Sequence, residues 1–345
     1  MGEKEKRKAA PEKSSPLLQV EDLHVDFTTH EGVVQAVRGV DFEINLGESV
    51  GVVGESGCGK SVTALSVMRL VPRPNGQIGQ GHIWLWRDEE KTDIVPLDFD
   101  SPAMRDIRGK EIAMIFQDPM SSLNPSFTIG YQIMEAIELH QEVSKDDARL
   151  RAIDALQSVS LPDASEAIDR YPHELSGGMR QRVMIAMAMA CNPRLLIADE
   201  PTTALDVTVQ AQILDLVGRY RKQSEMAIMW ITHNLGVVGE LCEKVLVMYR
   251  GQIVEYGSVS SLFEDPKHPY TQGLLSCFPQ LGVDSKQELV PIPGGVPDPF
   301  EVVAGCAFAP RCPHASEQCQ NPPPLIRTGE NQVRCWLYHE DESVQ

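Results

Sequence analysis

The residues best suited to chemistry form a glycine-rich segment near the start of the chain. The segment is Gly54-Glu55-Ser56-Gly57-Cys58-Gly59-Lys60-Ser61. A glycine-rich turn exposes backbone N–H groups, and a helix that begins near Lys60 adds its own N-terminal amides for binding phosphate. The Lys60 ammonium can bind the same phosphate oxygens, and the Ser61 hydroxyl can bind Mg²⁺. The sequence therefore predicts a phosphate-binding loop.

Two adjacent acids provide the second feature. Asp199 and Glu200 directly follow the apolar run of residues 195–198. We expect Asp199 to bind Mg²⁺, directly or through water, and Glu200 to polarise the attacking water, because a carboxylate can stay ionised beside a cation. The alternative is that both acids merely cap a strand, and the phosphate-binding loop makes this alternative less favoured.

Two further polar residues follow apolar runs. Gln117 ends the run of residues 112–116, and His233 follows residues 227–231 after one threonine. Gln117 could contact the metal or the water, and its alternative is a surface amide in a turn before Pro119. A single histidine after a strand is usually structural, so the role of His233 depends on its neighbours.

The elements that must position these residues alternate along the chain. Short apolar runs at residues 49–53, 195–198 and 227–231 predict buried strands, and residues 17–27 predict an edge strand. Helical patterns are predicted at residues 61–70, 131–140, 149–159 and 208–221. The alternation favours an α/β fold with a parallel-type sheet covered on both faces. Residues 117–176 lack a convincing buried strand and predict a helical insert.

Composition narrows the class of protein. The chain has 345 residues, 42% of them hydrophobic, and a formal net charge of −18, which argues against nucleic acid as the main partner. Residues 1–16 are basic and poor in apolar residues, which predicts a disordered tail. The sequence shows no secretory signal and no apolar run approaching the roughly 18 residues of a membrane span. We therefore expect a soluble, intracellular chain that meets a membrane only through a partner.

A fourth motif, residues 175–181 with the sequence Leu-Ser-Gly-Gly-Met-Arg-Gln, lies between Gln117 and the acid pair. With the other three, in this order, it resembles the ATP-binding subunits of ABC transporters over residues 17–262. The resemblance implies a P-loop NTPase core with a helical subdomain at about residues 118–180. It also implies that two subunits bind two ATP molecules between them.

The resemblance also assigns roles to residues of this sequence. Ser176, Gly177 and Gly178 would contact the γ-phosphate held by the partner's loop, while Asp206, in the D-loop match Ala204-Leu205-Asp206, would lie at the dimer seam. Phe27 would stack on adenine, and His233 would contact the γ-phosphate. The remaining nucleotide contacts would come from the phosphate-binding loop and the following residue: Gly54, Glu55, Ser56, Gly57, Cys58, Gly59, Lys60, Ser61 and Val62.

Several segments resemble one branch of that family, the ATPases of dipeptide and oligopeptide importers, which includes nickel importers. They are residues 112–125, 200–210, 268–271 and 292–294. The branch implies two permease subunits, a second ATPase subunit (a sister or another copy), an external solute-binding protein and a peripheral position on the cytoplasmic side of the membrane. Residues 118–124 and the helical insert would receive the permease. Dipeptides, longer peptides and nickel stay open as cargo.

A rival function of another class is a soluble ABC-type ATPase acting on ribosomes or DNA. The acidic balance, the single cassette and the importer-like segments count against it. Association with ribosomes rather than with membrane subunits would favour it.

The cysteines form the last group. The region of residues 263–345 is broken by prolines, predicts a small second domain, and contains Cys306, Cys312, Cys319 and Cys335. This spacing lacks the tight pairs typical of zinc modules, and it suits a [4Fe–4S] cluster, which several members of the branch carry. Zinc and unliganded thiols remain alternatives. Cys58 is a separate case, because the helix N-terminus and Lys60 favour its thiolate. We expect alkylation of Cys58 to block ATP binding and bound ATP to protect it. The alternative, favoured for normal turnover, is a spectator at a variable position of the motif.

Overall fold

The structure is a computed structural model that describes residues 16–87, 90–118, 122–202, 205–277, 292–295, 297–301 and 303–339. Its strands are β1 Leu18–Thr28, β2 Val33–Ile44, β3 Ser49–Val53, β4 Gly76–Arg87, β5 Glu90–Asp93, β6 Ile112–Ile115, β7 Leu195–Asp199, β8 Ala227–Ile231, β9 Lys244–Tyr249, β10 Gln252–Ser258, β11 Leu325–Thr328 and β12 Asn331–Arg334. Its helices include α1 Lys60–Val67, α2 Pro102–Asp106, α3 Ile129–His140, α4 Lys145–Ser158, α5 Ala164–Ala167, α6 Gly177–Met189, α7 Val207–Ser224, α8 Leu235–Leu241, α9 Val259–Glu264 and α10 Pro269–Ser276.

The main sheet has eight strands in the order β11-β12-β10-β9-β3-β8-β7-β6. Strands β9, β3, β8, β7 and β6 are parallel, and β10, β12 and β11 extend the sheet in antiparallel fashion. Every residue of β3, β7 and β8 is buried, as expected for strands covered on both faces. The predicted buried strands are therefore confirmed.

A second, antiparallel sheet has the order β2-β1-β4-β5. The prediction that residues 17–27 form an edge strand was wrong, because β1 pairs with both β2 and β4. Its alternating residues Leu18, Val20, Leu23 and Val25 are buried. A central strand of a sheet with one covered face shows the same alternation as an edge strand, so the pattern could not separate the two.

The helices match the predicted periodicity with shifted ends. The predicted helix at residues 131–140 begins earlier, at α3, because the Thr128 hydroxyl accepts the Tyr131 N–H and caps it. The predicted helix at residues 149–159 is α4, which begins earlier, at Lys145, because the Ser144 hydroxyl accepts the Asp147 N–H and caps it. The described residues between 116 and 194 contain helices and turns but no strand. Pro119, Met120 and Ser121 of this stretch lie outside the described residues.

The C-terminal region continues the main sheet. Strand β12 pairs with β10, and buried Phe308 belongs to the same hydrophobic cluster as Trp230 of β8. Over the described parts of the chain, no helix combines the length and apolarity needed to cross a membrane. Residues 1–15, most of the predicted tail, lie outside the described residues.

Candidate nucleotide-binding site

The phosphate-binding loop connects β3 to α1, and its shape requires glycine. Gly59 has a φ of +107°, and a Cβ placed on it would lie 2.5 Å from the carbonyl oxygen of Ala36. A Cβ on Gly54 would collide with the carbonyl of Met248 and with the sulfur of Cys58. Strands β2 and β9 therefore approach the loop too closely for any side chain at these positions.

Lys60 is the first residue of α1 and is only 6% exposed. Its Nζ donates to the carbonyl oxygens of Gly54 at 2.8 Å and Glu55 at 3.0 Å. The loop's own carbonyls thus hold the ammonium inside the loop, where it can bind phosphate.

Ser61 and Asp199 meet beside the loop. The Ser61 hydroxyl donates to Asp199 Oδ1 at 3.0 Å, although 138 positions separate the residues. Burial raises the pKa of Asp199, and the hydrogen bond from Ser61 partly opposes that rise. The hydroxyl and carboxylate oxygens are the ligand type that Mg²⁺ prefers, so this pair fits the predicted metal.

The second acid brings three predicted residues together. Glu200 Oε2 accepts a hydrogen bond from Gln117 Nε2 at 3.1 Å, and Glu200 Oε1 lies 3.2 Å from His233 Nδ1. The Glu200 side chain is 13% exposed, and that of His233 is 58% exposed. Gln117 thus touches the acid directly, a contact that the sequence did not predict.

The Glu200 backbone is strained. Its φ is +45°, a left-handed conformation that costs a residue with a Cβ about 1–3 kcal/mol. The Glu200 N–H donates to the Ile231 carbonyl at 2.9 Å, which fixes the turn to β8. Such strain is typical of functional sites, where surrounding contacts hold a side chain in a required direction.

The parallel strands explain this convergence. The loop follows β3, the acid pair ends β7, His233 follows β8 and Gln117 follows β6. Since these strands are parallel neighbours, their carboxyl ends meet at one edge of the sheet. The residues that follow these four strands therefore lie together at one edge of the sheet.

The surroundings of Cys58 do not favour the expected thiolate, while the block of ATP binding by alkylation stays a prediction. Its side chain is 5% exposed, and burial raises the pKa of the thiol, although Lys60 opposes this rise. The sequence showed the lysine and the helix N-terminus but could not show that the sulfur points into the core. Burial therefore favours the neutral thiol.

Ser176, Gly177 and Gly178 lie away from this edge. The Ser176 hydroxyl accepts the Met179 N–H at 3.3 Å and caps α6. Ser176 and Gly178 line a cavity with residues of α7, and this cavity shares no residue with the one beside the phosphate-binding loop. Asp206 caps α7 by accepting the Val209 N–H at 3.0 Å. Thr203 and Ala204 lie outside the described residues.

Phe27 is half-buried in β1, opposite Val34 of β2 and Gly76 of β4. A cavity of about 300 Å³ beside the loop is lined by Val34 but not by Phe27. The placement of adenine on Phe27 stays a prediction, as does a nucleotide contact from half-buried Val62.

The sequence missed the contribution of the C-terminal region to this edge. Residues 297 and 299–301 line the same cavity as Ser56 and Gly57. Arg311 forms an ion pair with Glu55, and the Tyr270 hydroxyl accepts the Glu55 N–H. No local pattern signals contacts between positions this far apart in the chain.

The four C-terminal cysteines converge on one small cavity. Cys306, Cys312, Cys319 and Cys335 line a space of about 80 Å³ together with Phe308. Burial raises the pKa of Cys306 and Cys312, and raises that of Cys335 to about 11. Within the described residues, no three histidine, cysteine or acidic side chains are placed to hold one metal ion. Convergence on one cavity fits a shared ligand, although no three of these sulfurs are placed around a single metal ion.

Comparisons with known proteins show which family the chain belongs to. A family profile described as ABC transporter matches residues 37–203, and one described as oligopeptide/dipeptide transporter, C-terminal region, matches residues 254–319. The oligopeptide transport ATP-binding protein OppD of Bacillus subtilis is 49% identical, covering 94% of this chain and 90% of its own length. A putative peptide import ATP-binding protein of Brucella abortus is 49% identical, covering 94% and 98%.

A solved structure gives the same fold. The ATP-binding cassette MJ0796, a dimer in a post-hydrolysis state with ADP and Pi bound, superposes with a TM-score of 0.62. It is 26% identical, and the match covers 70% of this chain and 98% of that one.

Proposed function

Because the chain belongs to the ATP-hydrolysing subunits of ABC transporters, in the oligopeptide and dipeptide branch, we propose that it energises the import of short peptides across the cytoplasmic membrane. One observation carries the catalytic part: Glu200, Gln117 and His233 are hydrogen-bonded together at the sheet edge that also bears the phosphate-binding loop. The match of residues 254–319 to the oligopeptide/dipeptide C-terminal region supports the cargo class.

The chemistry follows from the placement of this chain's residues. The loop amides and Lys60 bind the phosphates, and Ser61, Asp199 and Gln117 supply oxygen ligands on the metal side. Magnesium, when bound there, offsets phosphate charge in the transition state. Glu200 accepts a proton from the attacking water, and the contacts with Gln117 and His233 orient its carboxylate.

The cargo is tested by uptake. Cells that lack the chromosomal copy should take up a radiolabelled tripeptide only when this chain is expressed with its neighbouring permease genes. Nickel uptake without peptide uptake would overturn the cargo assignment, and co-sedimentation with ribosomes instead of permease would overturn the transport role.

We propose that two ATPase subunits bind ATP between them. The support is that Ser176 and Gly177 are exposed, and that Ser176 and Gly178 line a cavity separate from the chain's own phosphate-binding loop, as a partner's nucleotide would require. A Cβ on Gly177 meets nothing within 4 Å, so Gly177→Asp should leave the single subunit folded.

This variant should bind ATP normally but lose ATP-dependent dimerisation and turnover, because its carboxylate would repel the partner's γ-phosphate. The matched control is Gly295→Asp, at another position where a Cβ meets nothing. Normal dimerisation of Gly177→Asp in light scattering would refute the sandwich.

For the permease contact, we propose the exposed aromatic pair at the start of the helical insert. Phe127 and Tyr131 stack at 4.7 Å between ring centroids and are 42% and 50% exposed. Replacing both with serine should abolish co-purification with the permease while the isolated subunit's ATP binding is kept. Leu139→Ser, on the same helix and 73% exposed, is the control. Unchanged co-purification would place the contact elsewhere. The external solute-binding protein would meet only the permease.

We also propose that Cys306, Cys312, Cys319 and Cys335 hold a [4Fe–4S] cluster. Their convergence on one cavity supports this. Anaerobically purified protein should contain about four iron and four sulfide per chain and absorb near 400 nm. Stoichiometric zinc, or four reactive thiols without metal, would each overturn the assignment.

A further inference from the structure

Arg311 in the C-terminal region binds the phosphate-binding loop. Its Nη1 lies 2.7 Å from Glu55 Oε2 and its Nη2 lies 3.0 Å from Glu55 Oε1, although 256 positions separate the residues. The Arg311 side chain is 4% exposed and that of Glu55 is 26% exposed. This is a two-bonded guanidinium–carboxylate pair in a largely buried place, where geometry and charge both restrict its partners.

The guanidinium is itself fixed. Arg311 Nε donates to the Pro293 carbonyl at 3.0 Å, and Nη1 donates to the Tyr249 hydroxyl at 3.4 Å. Tyr249 ends β9, so contacts from the core and from the C-terminal region both hold Arg311. The pair therefore differs from a mobile surface ion pair, whose partners sample many positions.

The backbone of Glu55 is held from the same side. The Tyr270 hydroxyl accepts the Glu55 N–H at 2.9 Å, and Tyr270 is completely buried against Tyr249 and Phe308. The Glu55 carbonyl in turn accepts a hydrogen bond from Lys60 Nζ at 3.0 Å. The side chain, the amide and the carbonyl of Glu55 are thus all hydrogen-bonded, and the bond to the carbonyl comes from the phosphate-binding Lys60.

Charge adds a second argument. Glu55 places a carboxylate in a loop whose ligand is a polyanion, and an unpaired carboxylate there would repel ATP. Arg311 neutralises it within hydrogen-bond distance. Without Arg311, the loop would face ATP with one uncompensated negative charge and one free side chain.

We propose that Arg311 is a positioning residue for ATP, which acts through Glu55 to set the phosphate-binding loop, so that the C-terminal region forms part of the nucleotide site of its own chain. The proposal rests on ATP binding at this loop, and it is independent of the cargo and of any metal at the cysteines.

The test is a double-mutant cycle of ATP binding to the isolated full-length subunit. Titration with MgATP should show that Arg311→Gln raises the Kd at least about tenfold, because an unpaired charge remains near the phosphates. The double variant Glu55→Gln/Arg311→Gln should return to within about threefold of Glu55→Gln, since no carboxylate then needs a partner. Arg334→Gln, which removes another bond from the C-terminal region to the core (to the Ile253 carbonyl), should leave the Kd unchanged.

The outcomes separate positioning from folding. A folded Arg311→Gln protein with wild-type Kd would overturn the proposal, and so would a double variant as weak as Arg311→Gln alone. If Arg311→Gln does not fold, the double variant decides: a folded, ATP-binding double variant supports coupling through Glu55, and an unfolded one overturns it. Loss of peptide uptake with normal ATP binding would count against the transport role alone.

Discussion

Replacement of Glu200 by glutamine is the sharpest test of the catalytic assignment. The carboxylate lies 3.1 Å from Gln117 Nε2 and 3.2 Å from His233 Nδ1. A glutamine has the same shape. Its carbonyl can accept from Gln117, and its amide can donate to His233 Nδ1 once the imidazole carries its proton on Nε2 instead. Both contacts can therefore survive, and we expect the stability of the fold to change by less than about 1 kcal/mol.

The loss should fall on the chemical step. An amide cannot accept the proton of the attacking water, and general-base catalysis contributes roughly 10²- to 10⁴-fold in rate. At 1.36 kcal/mol per factor of ten, the barrier should rise by about 3–5 kcal/mol. Binding should not weaken, because the substitution removes a negative charge near the phosphates. The Kd for ATP should stay within about threefold of wild type or fall.

The assay compares two measurements on the same preparation. Single-turnover hydrolysis of labelled ATP by the subunit with its permease gives the rate, and filter binding gives the Kd and the identity of the bound nucleotide. Glu240→Gln, the same chemical change at an exposed site on α8, is the control and should match wild type.

Hydrolysis by Glu200→Gln within about threefold of wild type would refute Glu200 as the base. A variant that loses ATP binding in proportion to its rate would also refute the reasoning, because Glu200 would then serve binding rather than proton transfer.

Three other predictions concern single residues. Lys60→Ala should weaken ATP binding at least about tenfold in nucleotide titration, since each hydrogen bond to a charged group contributes about 1.5–3 kcal/mol. The control Lys222→Ala, on the exposed side of α7, should leave ATP binding unchanged. Equal ATP affinities of Lys60→Ala and wild type would show that Lys60 does not bind the nucleotide. Iodoacetamide at pH 8 should label Cys58 at least about tenfold more slowly than a free thiol, because burial raises the pKa of Cys58, and labelling at the free-thiol rate would contradict the buried position. Burial lowers the pKa of His268 to about 3, so below its usual pKa near 6.5 the unfolded chain binds a proton that the folded chain does not. The free energy of unfolding, measured in urea, should thus fall by about 2 kcal/mol from pH 7 to pH 5. The variant His268→Asn, which can still cap α10, should reduce this pH dependence. An equal pH dependence in wild type and variant would show that His268 is not its cause.

The convergence of Lys60, Asp199 and His233 on one edge was predictable because its signals are local. Fully apolar runs mark β3, β7 and β8, and the residue types needed for phosphate and water follow directly after them. Parallel neighbours must then place Lys60, Asp199 and His233 at one edge. The sequence needed no long-range information for this, which is why the resemblance and the geometry agree.

The parts that were missed depend on distant contacts. The position of β1 inside its sheet depends on its pairing with β2 and β4. Both of these strands contain many exposed residues, and β4 also contains glycines. The burial of Cys58 and the Arg311–Glu55 pair arise only after the chain has folded. The sequence shows each of these residues, but nothing in its spacing says which of them meet.

The pairing of β12 with β10 has a consequence during synthesis. Until residues 331–334 have left the ribosome, β10 presents a row of unsatisfied N–H and C=O groups beside β9. A nascent chain, or a product stopped early by a nonsense codon near position 320, would therefore expose β10 as an unpaired edge strand that can pair with another chain. We expect such products to aggregate or to be degraded, rather than to persist as functional cassettes lacking a tail.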